Sequence, residues 1–134
     1  NANISYNKYG APEIEGDIFI SISHSKNITG IIISKKKVGL DIEKISDKAL
    51  RLSSKFILNN RHHPLTKEKA TLIWCCKEAI YKWHQKGNVN FIEDIKIYPF
   101  DIKSGNEIIA EFQDQKLFIQ FKKIQDYFLV YVCK

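Results

Sequence analysis

Methionine is absent from this 134-residue chain, cysteine and proline occur three times each, and glycine six times. So little proline and glycine excludes a collagen-like or low-complexity chain. Three cysteines, adjacent at Cys75 and Cys76 and single at Cys133, give neither a disulfide framework nor a C-x-x-C metal knuckle. Neighbouring side chains on a helix point about 100° apart, so Cys75 and Cys76 are badly placed to bond each other. All three are read as reduced, small packing residues. There is no N-terminal apolar h-region and no apolar run long enough to cross a bilayer, so a soluble, cytoplasmic protein off the membrane is expected. Acid is also scarce: 15 Asp and Glu stand against 21 Lys and Arg, a formal net charge of +6. That surplus favours an anionic partner (nucleic acid, a phosphorylated metabolite or an acidic protein) without choosing among them.

What is present fits a single domain with enough apolar material for a core. Residues 3–16 hold Gly10, Pro12 and Gly16 without periodicity and read as loop. D-I-F-I-S-I-S-H-S alternates as a strand ending at His24-Ser25, and T-G-I-I-I-S returns as the second arm of a hairpin. Lys35–Lys37 make a basic turn. In V-G-L-D-I-E-K-I, Val38, Leu40 and Ile42 form one strand face, while Gly39, Asp41 and Glu43 form the other. Gly39, without a side chain, leaves room there for something to approach.

Asp47 is a plausible N-cap for a moderate helix running to about Leu58, broken by the Asn59–Pro64 segment. Thr66 then caps a long helix over Lys67–Lys86, with Gly87 as its left-handed stop. Beyond it F-I-E-D-I-K-I-Y-P, E-I-I-A-E-F, K-L-F-I-Q-F and Y-F-L-V-Y-V-C read as strands, with turns at 103–106, 113–115 and 123–126. The order predicts an α+β fold with one long helix laid across a meandering antiparallel sheet.

The chemistry concentrates in few residues. Glu78 and Lys82 are four apart on the long helix, the spacing of an exposed ion pair, but Trp74 places Glu78 beside apolar surface. With Asp41 and Glu43 it makes three oxygen donors, the kind hard cations such as Mg²⁺ take. Carboxylates converging without a cation would raise one another's pKa. Lys82, Lys44, Lys35–Lys37 and His24 supply the positive charge that a diphosphate would need on its other sides.

Three segments in order, F-I-S-I-S-H-S, V-G-L-D-I-E-K-I and L-I-W-C-C-K-E-A-I-Y-K, resemble the signature segments I-S-H-S, G-[IL]-D-[IVL]-E and W-x-x-K-E-[AS]-x-x-K of the 4′-phosphopantetheinyl transferases. The match is to the two-lobed, surfactin-synthetase-activating (Sfp-like) type, from about Tyr9 onward. The resemblance implies a transferase that moves the phosphopantetheine arm of coenzyme A onto a serine of an acyl or peptidyl carrier protein, with Mg²⁺ or Mn²⁺. It implies Asp41, Glu43 and Glu78 as metal acids and Lys82 on the coenzyme A phosphates. It puts His24 with Ser23 near the 3′-phosphate and Lys77 where it helps position phosphate or carrier; Lys44, close to the acids in sequence, is a further candidate for binding the coenzyme. A carboxylate, best Glu78, or a water on the metal would take the serine proton. It also implies that residues 1–35 close a first lobe and 36–134 form the second, with another segment or a second copy completing the site. Two positions differ from the family pattern: Gly10-Ala11-Pro12 stands for G-K-P, with Lys8 the nearby lysine, and Arg61 stands near an expected acid. Two other readings compete. One is a partial fold that binds coenzyme A or a carrier without transfer. The other is a small basic nucleic-acid-binding domain, although no nucleic-acid motif or lysine stripe is present.

Overall fold

The strand periodicities of the C-terminal half become a five-stranded antiparallel sheet. The computed structural model describes residues 3–58 and 60–134. In chain order it runs β1 (Ile4–Tyr6), β2 (Pro12–Ile14), β3 (Phe19–Ser25), β4 (Ile28–Ser34), β5 (Val38–Lys44), α1 (Asp47–Arg51), α2 (Lys67–His84), β6 (Ile95–Ile97), β7 (Glu107–Phe112), β8 (Gln115–Ile124) and β9 (Tyr127–Cys133). Short 3₁₀ turns lie at Ser53–Lys55 and Asn60–His62. The large sheet has the order β5-β9-β8-β7-β6, all antiparallel. Every second residue of three of its strands is buried (Ile108, Ala110, Phe112; Leu117, Ile119, Phe121; Phe128, Val130, Val132), and α2 contributes to the same core with Leu72, Ile73, Cys75, Cys76, Ala79, Ile80 and Trp83. The expected α+β architecture, a long helix on an antiparallel sheet, is what forms.

Strand β5 is the hinge of the design. On one face α2 comes so close that a Cβ on Gly39 would collide with the Ala79 carbonyl and lie 2.6 Å from the Trp83 nitrogen. The room that Gly39 leaves is therefore filled by the helix backbone, not by a ligand. Its other face, Leu40 and Ile42, packs on the β3–β4 hairpin, where Gly30 allows the contact. The outer edge of β5 carries no further strand. Instead Ser21 and Ser23 Oγ accept from the Leu40 and Ile42 amides at 2.9 and 3.0 Å.

Four expectations require correction. Residues 3–16 are not all loop: β1 and β2 pair with Ile4 opposite Ile14, and Asn7 Oδ1 accepts from the Tyr9 and Ala11 amides in their turn. The helix after β5 has Ser46, not Asp47, at its N-cap position and ends at Arg51, giving way to a 3₁₀ turn over Ser53–Lys55. Helix α2 stops at His84, with Gln85 left-handed at φ 64°; Gly87 is a second left-handed residue beyond it. The run from Phe91 is a strand only over Ile95–Ile97, because Asn90 Oδ1 binds the Ile92 and Glu93 amides and Asp94 binds Asn90. Cys75 and Cys76 are buried as expected, but Cys133 is exposed.

Gly39→Ala should cost about 3 kcal/mol or more, since the atoms a Cβ would meet belong to the backbone of α2 and cannot yield cheaply. Gly105→Ala, where a Cβ meets nothing nearer than 3.6 Å, should stay within about 0.5 kcal/mol. Denaturant midpoints of the two variants check the contrast.

Candidate functional site

The close approach at Gly39 brings α2 within reach of the acids on β5. Asp41 is 3 % exposed. Lys82, one turn beyond Glu78, reaches across to it: Nζ stands 3.0 Å from Asp41 Oδ1 and 3.4 Å from the Ile22 carbonyl. Ser23 Oγ donates to the same Oδ1 at 3.4 Å, and the Cys75 thiol donates to the Asp41 carbonyl at 3.3 Å. Oδ2 of Asp41 is buried without a hydrogen-bond partner. A carboxylate oxygen left in that state is costly. The helical spacing suggested a Glu78–Lys82 pair; the ion pair that forms among the described residues joins Lys82 to Asp41 instead.

Glu43 and Glu78 complete an acidic group. The Glu43 carboxyl is pushed up to about 9, first by burial, then by the neighbouring Asp41 carboxylate and the charge of Glu78, against the opposing pull of Lys82. Glu78 is pushed up to about 7 by burial and then by Asp41, again opposed by Lys82. Among the described residues no three carboxylate, imidazole or thiol groups are already gathered as a metal site. The donor set nevertheless suits a hard divalent cation: oxygen ligands only, one of them an unpartnered buried oxygen, in a group that holds protons for want of positive charge.

Cavities open on both sides of this group. One of about 340 Å³ is lined by Glu78, Lys82, Tyr81, Tyr6, Tyr9 and Ile22. Another of about 530 Å³ is lined by Glu43, Lys44, Lys48, Lys55, Trp74 and Phe91. The largest, about 680 Å³, lies around Tyr98, Phe100 and Asp101 and holds none of the expected site residues.

The remaining expected residues separate. His24 is exposed on β3 opposite Thr29 and lines neither acid-lined cavity. Ser23 is turned inward and spends its hydroxyl on Asp41 and the Ile42 amide, so it orients an acid where a direct contact with a coenzyme was expected. Lys77 is buried, its ammonium donating to the carbonyls of Phe56 and Phe91, and burial lowers its pKa to about 8. That hold keeps it from the phosphate or carrier contact expected of it. Lys44 stands at the rim of the larger acid-lined cavity, 3.7 Å from Asp126. Lys8 lies over the Tyr9 ring. Sequence reasoning missed Ser21, Asn7 and the tyrosines. Asn7 ties the N-terminal turn to the end of α2 through the Gln85 carbonyl at 2.9 Å, which sets Tyr9 against Gly87. The alternation of Ser21 and Ser23 with isoleucines was the available signal that two hydroxyls face inward.

Residues 37–132 match the family model of the 4′-phosphopantetheinyl transferase superfamily. The chain belongs to that superfamily. It is also similar to the 4′-phosphopantetheinyl transferase gsp of Aneurinibacillus migulanus, 32 % identical over 96 residues, which are 65 % of this chain and 40 % of that protein. The chain thus spans less than half the length of this relative. The family match begins at Lys37, so Asp41, Glu43, Lys77, Glu78 and Lys82 fall inside it, and Ser23 and His24 precede it. No helix among the described residues is long and apolar enough to cross a membrane.

Carboxyls with folded pKa values above the unfolded value near 4.5 make the native state bind more protons than the unfolded chain. The contribution of these two carboxyls to stability should therefore fall as pH rises from about 4.5 to about 9 without divalent cation, most steeply below about 7, and Glu43→Gln should remove about one proton of that slope. Unfolding midpoints against pH check the slope.

Proposed function

We propose that this chain carries the acid-and-lysine half of a phosphopantetheinyl transfer site, acting on coenzyme A and a serine of an acidic acyl or peptidyl carrier protein. The observation that carries the reading is the buried Asp41, held by Lys82 on one oxygen and unpartnered on the other, with Glu78 and Glu43 each lining a cavity. Membership of the superfamily supports the reaction class. Asp41, Glu43 and Glu78 would hold Mg²⁺ or Mn²⁺. The ion, when bound, neutralises charge developing on the diphosphate.

The chain's own residues supply the rest. In the smaller cavity Lys82 meets the coenzyme A phosphates, and the tyrosine walls exclude water from them. The larger cavity, with Lys44, Lys48 and Lys55 at its edge, faces the acidic carrier, and complementary charge steers the encounter. The serine oxygen bonds to the β-phosphorus of coenzyme A, the bond from that phosphorus to the bridging oxygen breaks, and adenosine 3′,5′-bisphosphate leaves with the electron pair. Glu78 takes the serine proton, for which a carboxyl poised near neutrality is suited. His24, exposed on the hairpin, remains available to the 3′-phosphate.

We read residues 36–134 as the second lobe and 1–35 as the end of the first. Ile31 and Ile33 on β4, 58 % and 54 % exposed, suit a further lobe or a second copy packed there. The reading needs no membrane and no nucleic acid, and a cytoplasmic setting, where coenzyme A is met, agrees with it.

The test is Mg²⁺-dependent loading of an apo carrier protein from labelled coenzyme A. Loading should stop with a chelator and fall by about 100-fold or more in Glu78→Ala. Coenzyme A binding without transfer would shift the reading to a binding-only member of the fold. Steeply salt-dependent nucleic-acid binding indifferent to Asp41→Ala, with no coenzyme A binding, would overturn it.

A further inference from the structure

Lys77 and Glu78 are neighbours in sequence but serve different sides of α2. The two carbonyls that the Lys77 ammonium binds come from segments on either side of the helix in the chain. Phe56 follows the 3₁₀ turn at Ser53–Lys55, and Phe91 stands in the irregular stretch between α2 and β6. Neither segment has strand partners at these positions to fix it. Both carry rings onto the helix: Phe56 packs 5.1 Å from Trp74, while Phe91 packs 5.3 Å from Trp74 and 5.7 Å from Tyr81. Phe56, Trp74 and Phe91 line the cavity that contains Glu43, and Tyr81 lines the one that contains Glu78 and Lys82. The Phe91 ring therefore connects the wall of one cavity to the wall of the other. An ammonium has three donors and no acceptor, so it can hold two carbonyls at once. An apolar side chain of equal length would leave both without that partner.

We propose, resting on the transferase reading above, that Lys77 is a positioning residue. By fastening Phe56 and Phe91 to α2, it fixes the aromatic wall between the donor and acceptor cavities, and it touches neither substrate. The wall sets where the acceptor serine stands relative to the donor phosphate, and small displacements there are amplified in rate.

The experiment compares Lys77→Met with Lys82→Met for coenzyme A binding by calorimetry and for carrier loading. Lys77→Met should bind coenzyme A within about twofold of the unaltered protein while kcat for loading falls about 10- to 100-fold. Lys82→Met should weaken coenzyme A binding about tenfold or more. Coenzyme A binding lost equally in both variants, or loading unchanged in Lys77→Met, would overturn the proposal. If Lys77→Met does not fold, Lys77→Gln, whose amide still reaches one carbonyl, should show the same split at smaller size, and an absent split counts against the proposal. Hydrogen exchange provides an arm that does not depend on catalysis. Amides of 86–94 should exchange about tenfold faster in Lys77→Met, with those of β8 and β9 unchanged. Should the unaltered protein neither bind coenzyme A nor load a carrier, the transferase reading fails. The exchange data still decide whether Lys77 holds the wall, and unchanged exchange would refute that it does.

Discussion

The contact between the backbone of α2 and the backbone of β5 at Gly39 is the constraint on which the site depends. A side chain there would hold the helix off the strand by the thickness of a methyl group. At the distance that glycine permits, Lys82 spans from helix to strand and meets Asp41, while the Cys75 thiol meets the Asp41 carbonyl a little further along. Glu78, between them on the helix, is brought near the same carboxylate. A residue that contributes no atoms to the site thus governs its dimensions.

That geometry concentrates negative charge where water is scarce. One lysine answers three carboxyls, so two of them hold protons more firmly than free carboxyls do. Burying charge without full compensation is destabilising, and such arrangements cluster at functional sites. On the proposed reading, a cation and an anionic substrate together would relieve that cost. Cys75 and Cys76, both fully buried beside this group, have thiols pushed well above their ordinary range by burial and by Asp41, so they stay neutral packing residues.

Much of this was legible in the chain. Alternation in β5 and β8 and the apolar runs in β7 and β9 read as the strands that form, and Thr66 does cap α2, accepting from the Lys69 amide at 3.1 Å. The three acids and Lys82 could be picked out by spacing and by the family segments. What spacing could not give was which partner a side chain chooses. Lys82 sits at the correct distance from Glu78 for a helical pair, yet the nearness of β5 offers it Asp41, a more deeply buried carboxylate. Lys77 was expected to help position phosphate or carrier, and its hold on two carbonyls was not legible because they lie in irregular segments that carry no pattern. The failures at residues 3–16 and 91–94 share a cause: asparagine and aspartate side chains bind nearby amides there and decide the backbone locally.

The serine hydroxyls of β3 have an implication for where this protein can be divided. The family model matches from Lys37, just after the β3–β4 hairpin. Yet the Leu40 and Ile42 amides on the rim of β5 are satisfied by Ser21 and Ser23, which precede that point. A cut at the homology boundary would leave a raw sheet edge with two orphaned donors beside the acid cluster, an edge of the kind that recruits foreign strands. The matched span and the folding unit are therefore offset, and the hairpin belongs to the second even though it falls outside the first.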